Sequence, residues 1–529
     1  MSLVWLLIAL VAIVWLAIKY GLKNQHFFRE RGIKFIKPLP YFGDSVAIFF
    51  NQENLLDYSI RVCNEFRREK IFGTFSAMTP TVIIRDPDIL KQLTIKEFDH
   101  FSDHQPFGPK ELDPLFSNSL FLLEGQKWRE MRTTLSPAFT GSKMRLMSAL
   151  IVEICEQMVE YLKTEAKEKG PQTHEMKDLF ARIATDIIGT CAFGIKVDSL
   201  KDKDNKFYKS GKEVFDLTST TLAMKFIALR VCPSLMRLCG ITLFDETYRG
   251  FLKDLVLNNM KTRQEKNIVR PDMINLLIEA QKGTLEHSSN EKDSVGFATV
   301  EESQTAKVTK KTSWTDDEIV SQCFLFFLAG FETSSTVLSF VSYEIARNLD
   351  IQEKLYEEAK TFYDELKGKP LTYDALQKMK YLDMVVSETL RIWPPVPIID
   401  RFCTKDFTLE YEEGKFYTFR KGEAFWIPCG DIHFDPENYP DPKKFDPERF
   451  SDENKNSIKP LTYMPFGLGP RNCIGSRFAL MEVKSLIFYL IVNFHFDLSD
   501  KTEVPLILAG SMVGIKAKKG VWVKFRPRE

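Results

Sequence analysis

The chain has 529 residues, 44% hydrophobic and 27% charged, an ordinary globular composition that excludes a disordered or collagen-like protein. Its 72 Lys+Arg balance 72 Asp+Glu, so no net charge selects a nucleic acid or an anionic surface. Nine scattered Cys do not form a secreted disulfide pattern, which puts most of the chain in a reducing compartment, and forty-three Phe hint at a large aromatic-lined interior.

In chain order, residues 1–18 come first, MSLVWLLIALVAIVWLAI, with no charge. A helix of that length rises about 27 Å, enough to cross a hydrocarbon core. The basic residues Lys19, Lys23, Arg29, Arg31, Lys34 and Lys37 come after it, whereas a cleaved signal peptide begins with them. The positive-inside rule then places the N-terminus in a lumen and the rest in the cytosol. The bland alternative is a buried N-terminal core helix. Lys37-Pro38-Leu39-Pro40 favours an extended, stiff connection. Residues 1–18 are thus expected as an anchor, 19–43 as a basic, Pro-rich hinge and 44–529 as the body.

In the body, the stretch from about Leu55 to Arg85 mixes helix and strand patterns, and from Gly125 to about Asn348 the apolar spacing is mostly helical. Residues 282–313, rich in Ser, Thr, Glu and Lys, are expected as a flexible surface loop. Thr315-Asp316-Asp317-Glu318 is a capping-box pattern that starts a long helix. That helix runs through Cys323-Phe324-Leu325-Phe326-Phe327-Leu328-Ala329-Gly330, apolar all round and hence buried. After about Pro394 come short strands and Pro/Gly turns, then a last helix from Cys473 to about Asn493. The fold class is mostly α with a small β part.

The chemistry concentrates in Pro465-Phe466-Gly467-Leu468-Gly469-Pro470-Arg471-Asn472-Cys473-Ile474-Gly475. A Cys ending a Gly-rich loop at a helix start is favoured as thiolate by the loop amides and the helix N-terminus. Gly469 and Gly475 let backbone or a flat ligand approach closely, Arg471 offers a cationic fork for a carboxylate or propionate, and Phe466 can keep the sulfur dry. Thiolate ligation of haem needs this set. The plain alternative is one buried Cys in a Gly loop. In the long helix, Glu332 and Thr333 set an acid beside an alcohol within an apolar run, which demands a polar partner or a wet pocket. Alone, Thr333 would be bonded back to its own helix. Glu388 and Arg391 share a helix face at i and i+3, as do Trp128 and Arg132 at i and i+4. His433 fits a structural turn, and the seven His show no metal-ligand spacing.

The segment around Cys473 resembles FxxGxRxCxG, the haem-thiolate signature of cytochrome P-450 proteins, and the other motifs fall in that family's order. The resemblance runs from the anchor to about Val523 and implies the cytochrome P-450 fold with an N-terminal transmembrane helix. It implies haem b with Cys473 as axial iron ligand, and Arg471, Trp128, Arg132, Arg401, Phe466 and Gly475 as further haem-binding positions. Thr333 and Glu332 would relay protons toward dioxygen above the haem, where Gly330 widens the helix groove. Glu388, Arg391 and Arg449 (from Pro447-Glu448-Arg449-Phe450) would form a buried charge triad serving the fold.

The matching pocket positions are Phe107, Phe116, Leu120, Phe121, Phe324, Phe327, Phe331, Val396, Ile398, Ile399, Leu508 and Met512, which hold no Lys or Arg and favour an apolar, uncharged substrate. Each aromatic among them is equally readable as core packing. Phe101-Ser102-Asp103-His104 and Leu135-Ser136-Pro137-Ala138-Phe139 look closest to microsomal enzymes that handle drugs and plant toxins, and the Phe-rich character to insect detoxification families. The resemblance implies a monooxygenase of the endoplasmic reticulum membrane, single-pass with its catalytic domain cytoplasmic. It would be fed electrons from NADPH through NADPH–cytochrome P-450 reductase, with cytochrome b5 as a second partner and O2 as co-substrate. Lys127, Arg129 and Arg477 are candidate reductase contacts. The alternatives are a hydroxylase of an endogenous steroid or lipid, a haem-thiolate isomerase, and a haem sensor; an intact Glu332-Thr333 pair argues against the last two.

Overall fold

The computed structural model describes residues 2–528 except 107, 215–220, 222–223, 226–227, 230–231, 245, 283–295, 300–313 and 513. Helix accounts for 55% of the chain and strand for 11%, as the apolar periodicity predicted. Of the expected surface loop at 282–313, residues 283–295 and 300–313 lie outside the described residues.

The helices that position the site are α1 (Ser2–Gly21), α2 (Gly125–Leu135), α3 (Gly141–Lys169), α4 (Met176–Cys191), α5 (Asp316–Arg347), α6 (Lys380–Ile392) and α7 (Ser476–Asn493). The strands are β1 (Ile71–Ser76), β2 (Thr79–Ile84), β3 (Thr173–Glu175), β4 (Ile399–Phe402), β5 (Phe407–Glu412), β6 (Lys415–Phe419), β7 (Ala424–Ile427), β8 (Phe494–Leu498) and β9 (Trp522–Pro527). A four-stranded sheet runs β1-β2-β7-β4, a three-stranded sheet β3-β9-β8, and β5 pairs with β6. The β2–β7 pairing is parallel, Thr81 opposite Ala424, so residues far apart in sequence share one sheet.

Helix α5 is the axis of the molecule. Its capping box is formed: Glu318 N donates to Thr315 Oγ1 at 3.3 Å and Thr315 N donates to Glu318 Oε2 at 3.0 Å. That satisfies two amides at a helix start otherwise short of acceptors. Most of α5 is buried by α4, α7 and the helix Glu246–Lys266, with one large apolar cluster running through all of them.

The expected hinge is not a free connection. Phe28 and Ile33 are buried, and Ile36 N donates to Gly73 O while Gly73 N donates to Lys34 O, adding this segment to the edge of β1. A Cβ on Gly73 would stand 2.4 Å from Phe28 Cδ2, so the ring uses the space a side chain would fill. Arg31 reaches Glu423, and Tyr41 Oη donates to Ala17 O at 2.6 Å, clasping the end of α1. Apolar side chains at 27–36 bury against the sheet, which a reading of prolines alone does not foresee.

Candidate functional site

The Cys473 loop closes on itself: Cys473 N donates to Phe466 O at 2.8 Å, and Gly467 (φ +80°) and Gly469 (φ +66°) take left-handed turns. A Cβ on Gly469 would lie 2.2 Å from Thr94 O, so only glycine fits there. At Gly475 a Cβ would sit in ordinary contact with Phe139 at 3.8 Å and Cys473 Sγ at 4.0 Å, so the absence of a side chain there keeps the space beside the sulfur free. Helix α7 begins at Ser476, so Cys473 stands ahead of the helix rather than in its first turn. The side chain of Cys473 is accessible although Asn472 and Ser476 beside it are buried. Burial by the surrounding protein pushes its thiol up, outweighing the pull of the Gly475 N–H and the Arg132 cation; the thiolate preference expected from the loop amides is present but not dominant in the protein alone.

A buried basic cluster lies beside the loop. Arg132 donates to Asn472 O and Oδ1, both at 2.8 Å. Arg471 lies over the Trp128 ring, 4.1 Å from its centroid, and directs its N–H groups at protein oxygens: Ser102 O (2.6 Å), Leu123 O (2.6 Å), Asp103 Oδ1 (3.2 Å), Leu120 O (3.2 Å) and Phe121 O (3.4 Å). It therefore clasps the 102–123 segment onto the Cys loop instead of offering a free fork. Arg401 on β4 is fully buried; it donates to Asp400 O and to Leu468 O, and its Nε has no partner among the described residues. Burial opposes its charge and pushes it down to about 10. Burial also opposes the charge of Asp400, but His104 Nδ1 at 2.9 Å and the Gln105 amide hold that carboxyl down to about 2.

This set fits haem b. An accessible sulfur stands next to an open glycine, and a buried Arg401 N–H lacks an acceptor, the kind of vacancy a propionate fills. Sequence reasoning did not assign a role to Asp400, whose only signal is its adjacency to Arg401.

On α5, Thr333 Oγ1 donates to Ala329 O at 2.6 Å, the back-bonded arrangement. Glu332 Oε1 pairs with Lys177 Nζ of α4 at 3.0 Å, and the same Nζ lies 2.8 Å from Glu332 O, 2.8 Å from Ser335 Oγ and 2.7 Å from Thr336 Oγ1. Burial lowers the Lys177 ammonium, with Glu332 opposing. Lys177 was not predicted; nothing local marks it. Gly330 does not leave an open groove: a Cβ there would come 2.9 Å from Ile188 Cδ1, because α4 packs into that space.

Glu388, Arg391 and Arg449 meet. Arg391 donates to both oxygens of Glu388 at 2.7 and 2.8 Å, and Arg449 Nε lies 3.4 Å from Glu388 Oε1. His433 is in the short helix Cys429–Phe434 rather than a turn; its Nε2 accepts from Met464 N, and burial pushes it down to about 3.

The expected pocket wall is largely core. Phe324, Phe327 and Phe331 are 1%, 0% and 3% exposed; Phe327 packs against Phe207 at 4.8 Å and Phe193 at 5.9 Å, and Phe324 against Phe244 at 5.2 Å. Phe116 joins the same network, Leu120 is buried with its N–H on Gln322 Oε1, and Phe121 stacks on His104. Val396 is exposed; Ile398 and Met512 pack in one small cluster, Ile399 in the sheet, and Leu508 bridges Ala517. Phe107 lies outside the described residues. The accessible side of α5 is instead Ala329, with half-buried Leu325, Phe326, Leu328 and Thr333 around it. Periodicity cannot select a face on a helix that is apolar all round.

A mostly helical fold with an accessible cysteine in a glycine loop and buried arginines beside it is an arrangement that suits a haem-thiolate protein. The Cytochrome P450 family model matches residues 34–523. The chain is 41% identical to Probable cytochrome P450 9f2 of Drosophila melanogaster, covering 99% of each protein. It is 40% identical to Cytochrome P450 9e2 of Blattella germanica (98% of this chain, 97% of that protein) and 34% to Cytochrome P450 6k1 of the same organism (98% and 96%). The chain belongs to the cytochrome P450 family: it is a P450 monooxygenase, and the family binds haem b through a cysteine thiolate.

Proposed function

We propose that this protein is a membrane-bound monooxygenase of apolar foreign compounds such as plant toxins or insecticides, driven by NADPH through a reductase. The observation that carries the reading is the accessible Cys473 sulfur in a loop that is otherwise buried or half-buried, together with an accessible stretch of α5 that bears no cation. Haem b, when bound, supplies the activation of O2 and the insertion of one oxygen atom.

The chain's own residues do the rest. Cys473 would furnish the ligating sulfur and Arg401 would receive a propionate through its Nε–H, while Arg132, Arg471 and Trp128 brace the loop beside them. Asp400, held by His104, supports the buried Arg401 cation by its charge. Leu325, Phe326, Leu328 and Ala329 exclude water and hold an apolar substrate by shape. Thr333 presents its hydroxyl for proton transfer once its bond to Ala329 O is exchanged, and Glu332, carried on the same turn and parked on Lys177, is the acid behind it. The Glu388, Arg391 and Arg449 triad holds α6 to the segment after Asp446 and serves folding.

We further propose α1 as the bilayer anchor: Leu3–Gly21 has mean hydropathy 2.4, and its apolar run is unburied up to Tyr20, only Gly21 at its end being buried, against Pro40 and Tyr41. In this reading residues 44–529 are the catalytic domain on the cytoplasmic side of the endoplasmic reticulum, and 22–43, after the end of α1, is a docked strap. Lys127 is exposed and offers a charge to an acidic reductase, while Arg129 is already paired with Asp99 at 2.6 Å.

The test is the difference spectrum of the dithionite-reduced, CO-bound protein, followed by NADPH-driven oxidation of fluorogenic apolar ethers with reductase. A strongly red-shifted Soret band and NADPH-dependent product are expected. A band at the ordinary haem-protein position would overturn thiolate ligation by Cys473, and oxidation confined to polar or charged probes would overturn the substrate class.

A further inference from the structure

The turn of α5 that carries Glu332 and Thr333 shares its carbonyls with side chains. Thr333 Oγ1 takes Ala329 O, Ser335 Oγ takes Phe331 O, and Lys177 Nζ takes Glu332 O. Side chains that draw on helix carbonyls in this way loosen and bend a helix. Ties to neighbouring helices then help to set its spacing from Cys473. Lys177 of α4 supplies one tie. The other comes from a residue that the reaction as described does not use.

Glu482 lies on α7, the helix that follows the Cys473 loop, and is completely buried. Ser334, next to Thr333, donates from Oγ to Glu482 Oε2 at 2.8 Å. Oε1 is buried and has no partner among the described residues. The titratable groups that face the carboxyl are the Cys155 thiol of α3 and the Cys191 thiol of α4, both buried and both pushed up by burial with Glu482 adding to it. Among the described residues no Lys, Arg or His pairs with Glu482. Burial pushes its carboxyl up to about 8, against the Ser334 hydrogen bond, so it sits as a neutral acid among neutral groups. An acid buried at such disadvantage, when a leucine would fill the space, marks a position where the hydrogen bond matters more than the packing.

We propose that Glu482 is a positioning residue: by accepting from Ser334 it locks the Glu332–Thr333 turn of α5 at a set distance from the helix that follows Cys473, and so keeps proton delivery coupled to substrate oxidation. This rests on the relay reading given above, and the experiment separates the two.

Full-length haem-loaded variants Glu482→Gln, Glu482→Leu, Ser334→Ala and Thr333→Ala are compared with the parent, in membranes with reductase and 7-ethoxycoumarin as apolar probe. Peroxide released per NADPH oxidised, the ferrous–CO spectrum and the melting temperature are read on each. Glu482→Leu and Ser334→Ala are expected to keep the thiolate spectrum yet release several-fold more peroxide per NADPH. Combining the two is expected to be no worse than either alone, because they break one bond. Glu482→Gln keeps an acceptor for Ser334 and is expected to restore parental coupling.

Parental coupling in both Glu482→Leu and Ser334→Ala, with a lowered melting temperature only, would overturn the proposal and leave Glu482 as a core residue. Failure of Glu482→Gln to rescue would overturn the hydrogen-bond argument. If Glu482→Leu does not accumulate as folded protein, Ser334→Ala alone decides. Unchanged coupling in Thr333→Ala would remove the relay reading, whatever the Glu482 variants do.

Discussion

Two sides of α5, about half a turn apart, do different work. Phe324, Phe327 and Phe331 interlock with Phe193, Phe207, Phe244 and Tyr248 and are buried, while Leu325, Ala329 and Thr333 lie on the side that stays accessible. The first side holds the molecule together; the second is the one that, in the proposed reading, carries the chemistry with Cys473. Aromatic character alone does not separate them, since Phe326 is half-buried beside the accessible set. What separates them is which helix lies opposite, and that teaches that aromatic content near a catalytic motif is a poor guide to a substrate pocket.

The contrast is tested most strongly from its chemical end. Cys473→Ser is expected to abolish turnover and the thiolate CO spectrum while far-ultraviolet circular dichroism shows the helical fold intact; normal turnover would end the ligand assignment. On the packed side, Phe327→Ala should remove about 3–5 kcal/mol of stability, the usual result of emptying an aromatic site in a core. Denaturant melts measure this, and the surviving folded protein should keep its thiolate spectrum.

A pH series sharpens the comparison on the interior. Burial pushes Glu482 up to about 8 and Glu344 up to about 7, above their values in an unfolded chain. Between those limits the folded protein retains protons that the unfolded chain has lost, so stability falls as pH rises, by at most about 1.4 kcal/mol per unit for each such group. His433, pushed down to about 3, acts in the opposite direction, but only below its ordinary value of 6.5. Melting temperature should therefore fall from pH 6.5 to 8, and Glu482→Gln should flatten the upper part of that fall.

The smallest effect on stability is expected on the accessible side: Ala329→Leu should shift stability by less than about 1 kcal/mol. The same change should alter which ethers are oxidised, read as turnover across a panel of graded size. An unchanged panel would place Ala329 outside the substrate space.

Much of the site was legible before any coordinates because its signals are contiguous. The Gly-Cys loop, the acid–alcohol pair, the capping box at Thr315 and the uncharged N-terminal run each lie within one short stretch, where spacing and residue type suffice. What was not legible depends on partners far away in the chain. Lys177 meets Glu332 across 155 positions and Ser334 meets Glu482 across 148, and neither partner carries a local mark. The docked strap at 22–43 escaped for the same reason, since its Phe and Ile residues acquire meaning only against β1.

By itself the sequence determined a mostly helical, N-terminally apolar chain with a haem-thiolate signature at Cys473, because those properties follow from local pattern and from residue chemistry at fixed spacing. Only the tertiary structure decided which side of α5 opens, where Arg471 and Glu332 point, and that Gly330 is filled by Ile188. A helix apolar on every side has no preferred orientation of its own; close packing against its neighbours chooses one.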